Sequence, residues 1–297
     1  MSSHEEVTGE VEKTVVGADK YAVFGNPIRH SRSPQIHAAF ASQTSQDMKY
    51  RSILVEKDKF AATAASFFDN GGRGLNITVP FKHDAFEFAD KLSERAGRAG
   101  AVNTLRLEAD GSVFGDNTDG VGLVRDMVAN LGWRISGSRV LVLGAGGAVR
   151  GILELVLGEK PSELLIVNRT ASRAIDLASA FSGLGPVEGG AYDLLQGRQF
   201  DVIINGTSAS LEGELPPLPD TLLTERSCCY DMMYASDPTV FMRWAAQHTA
   251  WAVSDGLGML VEQAAESFFL WRQSRPQTGP VITQLRTALE AEQRQAE

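Results

Sequence analysis

An α/β fold in two domains is what this sequence predicts, on three observations. The apolar run Leu141-Val142-Leu143 stops at Gly144-Ala145-Gly146-Gly147-Ala148, and a helix begins near Val149-Arg150-Gly151-Ile152. Apolar strands then alternate with helical stretches, the strands falling at 139–143, 164–167, 201–205, 228–232 and 251–253. This alternation predicts a parallel sheet with right-handed crossovers, a Rossmann-type domain. A second alternating block precedes that unit and helices follow it. The expected organisation is an extension over 1–19, an N-terminal α/β domain over 20–118 completed by C-terminal helices within 257–297, and the Rossmann-type domain over 119–256.

The elements follow in order. Residues 1–19 are polar and acidic without an amphipathic period, the composition of a disordered extension. Tyr21-Ala22-Val23-Phe24 reads as a strand ended by Gly25-Asn26-Pro27. Ser33-Pro34 reads as a helix start, serine capping and proline in the first turn, with Ile36 and Phe40 on the buried stripe. Residues 50–55 predict a strand, 60–70 a helix stopped by Gly71-Gly72, and 75–79 a strand closed by Pro80. A helix over 81–92 and strands over 101–107 and around Val113-Phe114 complete the block. Residues 118–132 predict a helix leading into the central unit, and the proline-rich stretch 211–219 a surface loop. Helices over 257–273 and 281–290 close the chain.

Composition narrows the function. The 297 residues are 43% hydrophobic, as in soluble globular proteins. No apolar run approaches the ~20 residues that span a bilayer. No basic segment followed by an apolar stretch marks a secretory signal. The net charge of −9 argues against nucleic-acid binding. Cys228 and Cys229 are adjacent on one strand and so face opposite ways, which argues against a disulfide or a metal site. The five histidines show no zinc-ligand spacing, so no metal is expected. A reducing, cytoplasmic setting is the simplest reading.

The glycine turn suits a pyrophosphate, which glycines let approach and which the helix N-terminus attracts. Val149 stands where a third glycine is usual, and the alternative is a tight turn without a ligand. The next strand ends in Asn168-Arg169-Thr170, with Arg173 a turn further on. An NAD site usually has an acid there. Two arginines instead suit the 2′-phosphate of NADP(H).

Polar residues gather at strand ends of the first block. Ser31 and Ser33 lie two apart, Asn76 and Thr78 share a face of one strand, and Lys82 opens the next helix, an electrostatically awkward place for a lysine. Asn103 sits in an apolar strand. Asp119 reads as a helix cap, yet a lysine beside an aspartate also suits the proton transfer a carbonyl reduction needs. In the second block, Thr207 follows a strand end, while Met232 and Tyr234 follow another; Gln263 is a polar residue on an apolar helix face.

These motifs together resemble the shikimate dehydrogenase family. The matching stretches are Val23-Phe24-Gly25-Asn26-Pro27-Ile28-Arg29-His30-Ser31-Arg32-Ser33-Pro34, Asn76-Ile77-Thr78-Val79-Pro80-Phe81-Lys82, Ala101-Val102-Asn103-Thr104, Gly115-Asp116-Asn117-Thr118-Asp119-Gly120, the glycine turn, Asn168-Arg169-Thr170, and Asp255-Gly256-Leu257-Gly258-Met259-Leu260. The resemblance implies reversible NADPH-linked reduction of 3-dehydroshikimate to shikimate, in the biosynthesis of aromatic amino acids. It implies that Ser31, Ser33, Asn76, Thr78, Lys82, Asn103, Asp119, Tyr234 and Gln263 surround the substrate, with Lys82 and Asp119 the catalytic pair. It also implies that Gly144, Ala145, Gly146, Gly147 and Ala148 cradle the pyrophosphate. Asn168, Arg169, Thr170 and Arg173 would hold the adenosine phosphate, Met232 and Gly256 would approach the nicotinamide, and Thr207 and Glu94 would lie near the cofactor. The chain departs from the family at Gly206 and Ser210, where alanine and glycine are frequent. The expected partners are the small-molecule substrate and NADP(H), with no nucleic acid and no membrane, and the expected assembly is a monomer or homodimer. The alternatives are an NAD-dependent quinate/shikimate dehydrogenase and a non-catalytic dinucleotide-binding regulator.

Overall fold

The computed structural model describes residues 17–207, 209 and 213–296. Most of the expected extension, residues 1–16, lies outside the described residues, as do Ser208 and Ser210.

The first block forms β1 (Asp19–Gly25), α1 (Ser33–Gln43), β2 (Met48–Leu54), α2 (Phe60–Asp69), β3 (Gly72–Ile77), α3 (Lys82–Phe88), β4 (Lys91–Leu92), α4 (Glu94–Ala99), β5 (Thr104–Leu107) and β6 (Val113–Asp116). Its six strands run in the order β2-β1-β3-β5-β6-β4. β1 pairs in parallel with β2 and β3, and β5 is antiparallel to both β3 and β6. Phe24, Phe60, Phe67, Leu75 and Ile77 fill the core between this sheet and α2. β1 begins at Asp19, so the last residue of the expected extension belongs to the sheet, where Asp19 pairs with Arg272.

Helix α5 (Asp119–Arg125) continues into one π-helical stretch, Asp126–Asn130, and leads to the second sheet. There follow β7 (Arg139–Leu143), α6 (Gly147–Gly158), β8 (Glu163–Val167), α7 (Ala171–Phe181), β9 (Val187–Gly190), β10 (Phe200–Asn205), β11 (Leu223–Asp231), α8 (Val240–Gln247) and β12 (Ala252–Ser254). All pairings are parallel, in the order β12-β11-β10-β7-β8-β9. This is the doubly wound order, whose ligand crevice lies where the winding reverses, between β7 and β10. β7 is buried on both faces: Val140 and Val142 join one core, Leu141 and Leu143 the other. Cys228 and Cys229 divide between the same two cores, and both thiols are free. On α6, Val149, Ile152, Leu153, Val156 and Leu157 recur at helical spacing and are all buried.

Helices α9 (Leu257–Arg272) and α10 (Gly279–Ala296) return to the first sheet. Leu257, Val261, Phe268, Val281 and Leu285 pack there with Ile36 and Phe40 of α1. Among the described residues, no helix is long and apolar enough to cross a membrane.

Two helix starts differ from expectation. Arg32, not Ser33, occupies the cap position of α1, and Ser33 is the first helical residue. Likewise Thr118 precedes α5, and Asp119 is its first residue without a capping bond. The Asp119 side chain is engaged elsewhere, as described next. The helix expected over 81–92 ends at Phe88, and Lys91-Leu92 pairs with β6 instead.

Candidate active site

Sheet register brings the polar strand ends together. Asn76 of β3 stands beside Thr104 of β5, which stands beside Asp116 of β6. The segments leaving these three positions, carrying Thr78 and Lys82, Asn103, and Asp119, therefore converge on one edge of the sheet. There they line a cavity of about 350 Å³ with Ser31, Ser33, Asn76, Tyr234 and Gln263. All nine expected substrate residues meet in this one cavity. Met232 and Gly256, expected near the nicotinamide, lie in its wall on the side of the second sheet.

Lys82 Nζ donates to Asp119 Oδ2 at 2.5 Å. The lysine side chain is 25% exposed and the carboxylate 9%, so the ammonium reaches the cavity while its counter-ion stays covered. Asn103 Nδ2 donates to Asp119 Oδ1 at 2.8 Å, and the Thr118 N–H fixes Asn103 by donating to its Oδ1 at 2.9 Å. The Asp119 N–H donates to Asn117 Oδ1 at 3.1 Å. Both carboxylate oxygens and the backbone of Asp119 are thereby held, which explains why the residue does not cap its helix. Gln263 donates through Nε2 to the Leu260 carbonyl at 2.8 Å. Burial pushes the Tyr234 phenol up, with the charge of Arg32 opposing, so it remains a hydrogen-bond donor at neutral pH.

The segment 116–119 rests on a buried ion pair. Arg95 donates to Asp116 through Nε at 2.7 Å and Nη2 at 2.6 Å, and Ser93 Oγ donates to it at 2.5 Å. Burial alone would raise the Asp116 carboxyl, but Arg95 outweighs it and holds the group below the ordinary carboxylate range.

A second pocket, about 550 Å³, lies at the reversal point of the parallel sheet. It gathers Gly144, Ala145, Gly146, Gly147, Ala148, Asn168, Arg169, Arg173 and Thr207. The turn after β7 needs Gly144, whose φ is +102°. Helix α6 starts after Gly146 with no side-chain cap, so its first N–H groups remain for an anion. Cβ atoms built on Gly146 and Gly147 would meet nothing within 4 Å, so the protein leaves this cradle open. Arg169 and Arg173 form no ion pair with any described residue. These features fit a phosphorylated dinucleotide.

Two expected cofactor residues stand elsewhere. Glu94 opens α4, is exposed, and pairs with Arg98 one turn on, a placement the helix dipole favours. Thr170 precedes α7 and is not among the residues lining this pocket, and its carbonyl accepts from Asn168 Nδ2 at 2.9 Å. The sequence reading missed His30 and Arg32 in the substrate cavity. It also missed Tyr192 and Leu215-Pro216-Pro217 in the second pocket. Arg32 falls within a motif quoted above, and the prolines lie in a stretch read only as a loop.

Two sheets that set an open glycine turn and a covered lysine–carboxylate pair on two pockets have the layout of a two-domain NADP-linked oxidoreductase. The shikimate dehydrogenase substrate binding domain matches residues 23–105, shikimate/quinate 5-dehydrogenase residues 126–212, and the shikimate 5′-dehydrogenase C-terminal domain residues 256–286. A shikimate dehydrogenase (NADP(+)) of Cellvibrio japonicus is 62% identical over 271 residues, 91% of this chain and 98% of that protein. The chain belongs to the shikimate dehydrogenase family. Among solved structures, an Ael1 enzyme from Pseudomonas putida is 46% identical, with a TM-score of 0.85 over 90% of this chain and 98% of that one. The shikimate 5-dehydrogenase of Thermus thermophilus, solved with NADP(H) and shikimate, is 31% identical, with a TM-score of 0.80 over 91% of this chain and all of that one.

Proposed function

We propose that this protein reduces 3-dehydroshikimate to shikimate reversibly with NADPH, in the route to aromatic amino acids. The observation that carries the reading is the Lys82–Asp119 contact in the wall of a cavity that reaches Met232 and Gly256 of the second sheet. The chain divides functionally into a substrate domain, 20–118 with 257–297, and a cofactor domain, 119–256. It acts in the cytoplasm on small molecules, as a monomer or homodimer.

Gly144, Ala145, Gly146, Gly147 and Ala148 would hold the pyrophosphate, and Asn168, Arg169 and Arg173 the adenosine phosphate. The chemistry NADP(H) supplies when bound is hydride transfer at the substrate carbon. Lys82 Nζ stabilises the carbonyl oxygen as negative charge grows there and delivers a proton to it. Asp119 holds the ammonium in place and is itself aimed by Asn103. Ser31, Ser33, Asn76, Thr78, Tyr234 and Gln263 orient the substrate's carboxylate and hydroxyls.

Steady-state rates with shikimate and with quinate, each with NADP+ and with NAD+, test the reading. The highest kcat/KM should fall on shikimate with NADP+. A preference for quinate with NAD+, or no turnover of either, overturns it.

A further inference from the structure

We propose that Tyr50 is a positioning residue of the substrate cavity: its hydroxyl, with the His37 ring stacked against it, holds the Asn76 amide in the orientation that receives substrate. The proposal rests on the functional reading above.

Ser33 and His37 are four residues apart on α1 and so share one face of the helix. Tyr50 comes from β2 and lies flat on His37, ring centroids 4.2 Å apart and planes 10° from parallel. Its hydroxyl donates to Asn76 Oδ1 at 2.8 Å. His37 Nε2 lies 3.1 Å from the same Asn76 oxygen. An amide oxygen only accepts, so His37 is the Nε2–H tautomer. Its Nδ1 is then bare, and Nδ1 indeed finds no partner. Burial holds this imidazole neutral, its pKa lowered to about 3 despite the Asn76 bond, so the contact does not change across the working pH range.

The other end of the amide is used unevenly. Asn76 Nδ2 donates to Ser267 Oγ at 2.9 Å, while contacts to Thr104 Oγ1 and the Asn103 carbonyl are 3.2 and 3.3 Å. One proton is well bound; the second is shared between two long contacts and is the one a substrate oxygen draws. Rotating the amide by half a turn would set its oxygen against the Asn103 carbonyl, which only accepts, and would require Tyr50 to accept and His37 to take the other tautomer. With the Asn103 carbonyl excluding the rotated amide, Tyr50 and His37 anchor its oxygen, so that Asn76 presents an N–H donor to the cavity. Neither belongs to the residues assigned to substrate, and both touch Asn76, which does.

The test uses the full-length protein with Tyr50→Phe, which keeps the ring and the stack. KM for shikimate should rise about 3- to 10-fold, the loss of one neutral hydrogen bond, while KM for NADP+ stays at its wild-type value. The Asn76 side-chain amide signals in a ¹⁵N–¹H correlation spectrum should move. His37→Phe, which keeps the ring and removes the other donor to Oδ1, should give the same rise in shikimate KM alone. It also covers the case in which Tyr50→Phe fails to fold. An unchanged shikimate KM in a folded variant overturns the proposal, as does a rise in both KM values accompanied by a lower Tm. If the wild-type protein does not turn over shikimate, the functional reading fails instead. The Asn76 amide signals then judge the positioning claim, and signals unmoved by Tyr50→Phe overturn it.

Discussion

Val149 and Gly206 are one adjustment in two places. A Cβ built on Gly206 would stand 2.4 Å from Val149 Cγ2, closer than any packed carbon tolerates. Val149 is fully buried in the first turn of α6, where dinucleotide sites commonly have a third glycine. Gly206 follows β10, where the family often has alanine. The larger residue on the helix is accommodated by the smaller one on the loop.

Gly206→Ala should therefore destabilise the protein by about 1–3 kcal/mol, the usual cost of overpacking. Val149→Ala with Gly206→Ala should recover most of that loss. Urea denaturation of the two single variants and the double variant checks it. Additive losses would show that the two positions are independent.

Arg169 is expected to decide cofactor choice. It lines the second pocket with Arg173 and no described acid neutralises it. Arg169→Ala should weaken NADP+ far more than NAD+, by about 1.5–3 kcal/mol if one charge-assisted bond dominates. The ratio of kcat/KM for the two cofactors measures this. An equal fall with both would make Arg169 structural.

Asp116 and Arg95 set an acid limit. The folded carboxyl of Asp116 is held below its ordinary value. The unfolded chain therefore binds that proton more readily. The stabilisation is complete above the unfolded value, near pH 4, and is lost as pH falls through the lower folded value. At pH 7, Asp116→Asn should cost about 1.5–3 kcal/mol, because Arg95 loses its bidentate carboxylate, 3% exposed, and keeps only Glu266 at 3.3 Å. The gap between wild type and variant should narrow as pH falls below about 4. Denaturation at pH 7 and pH 3 reads both; a gap that is constant with pH would remove Asp116 from the acid response.

The parallel sheet was legible because β7, β8 and β10 are apolar on both faces and each ends in a glycine or polar turn. β9 was not: it holds two glycines, and α7 lies directly on Gly189, where a Cβ would meet the Ala174 carbonyl at 2.1 Å. Site residue types were legible too, since Lys82 at a helix start and Asn103 in an apolar strand are locally unfavourable. Their proximity was not. It depends on the register Asn76–Thr104–Asp116, a long-range property of three strands. Tyr50 and His37 gave no signal at all, because a tyrosine on a strand and a histidine on an apolar helix face read as ordinary packing.

Lys82 carries the heaviest expectation. Its ammonium is the cationic donor in the cavity wall that Asp119 holds at 2.5 Å, and Asp119 is in turn fixed by Asn103. Reduction of a ketone builds negative charge on the carbonyl oxygen, and a positioned acid lowers that barrier. Lys82→Met keeps much of the side-chain length and removes the charge. It should cut kcat by about 10²–10⁴-fold, the scale of general acid–base catalysis. NADP+ affinity should hold, because the cofactor pocket is lined by the second sheet's loops and shares no residue with Lys82. Asp119 loses its partner in the variant but keeps the Asn103 and Asn117 bonds, so circular dichroism should show an intact fold. Single-turnover rates separate the chemical step from binding. A folded Lys82→Met protein with near-normal kcat would remove the lysine from the chemistry and leave it a contact for Asp119.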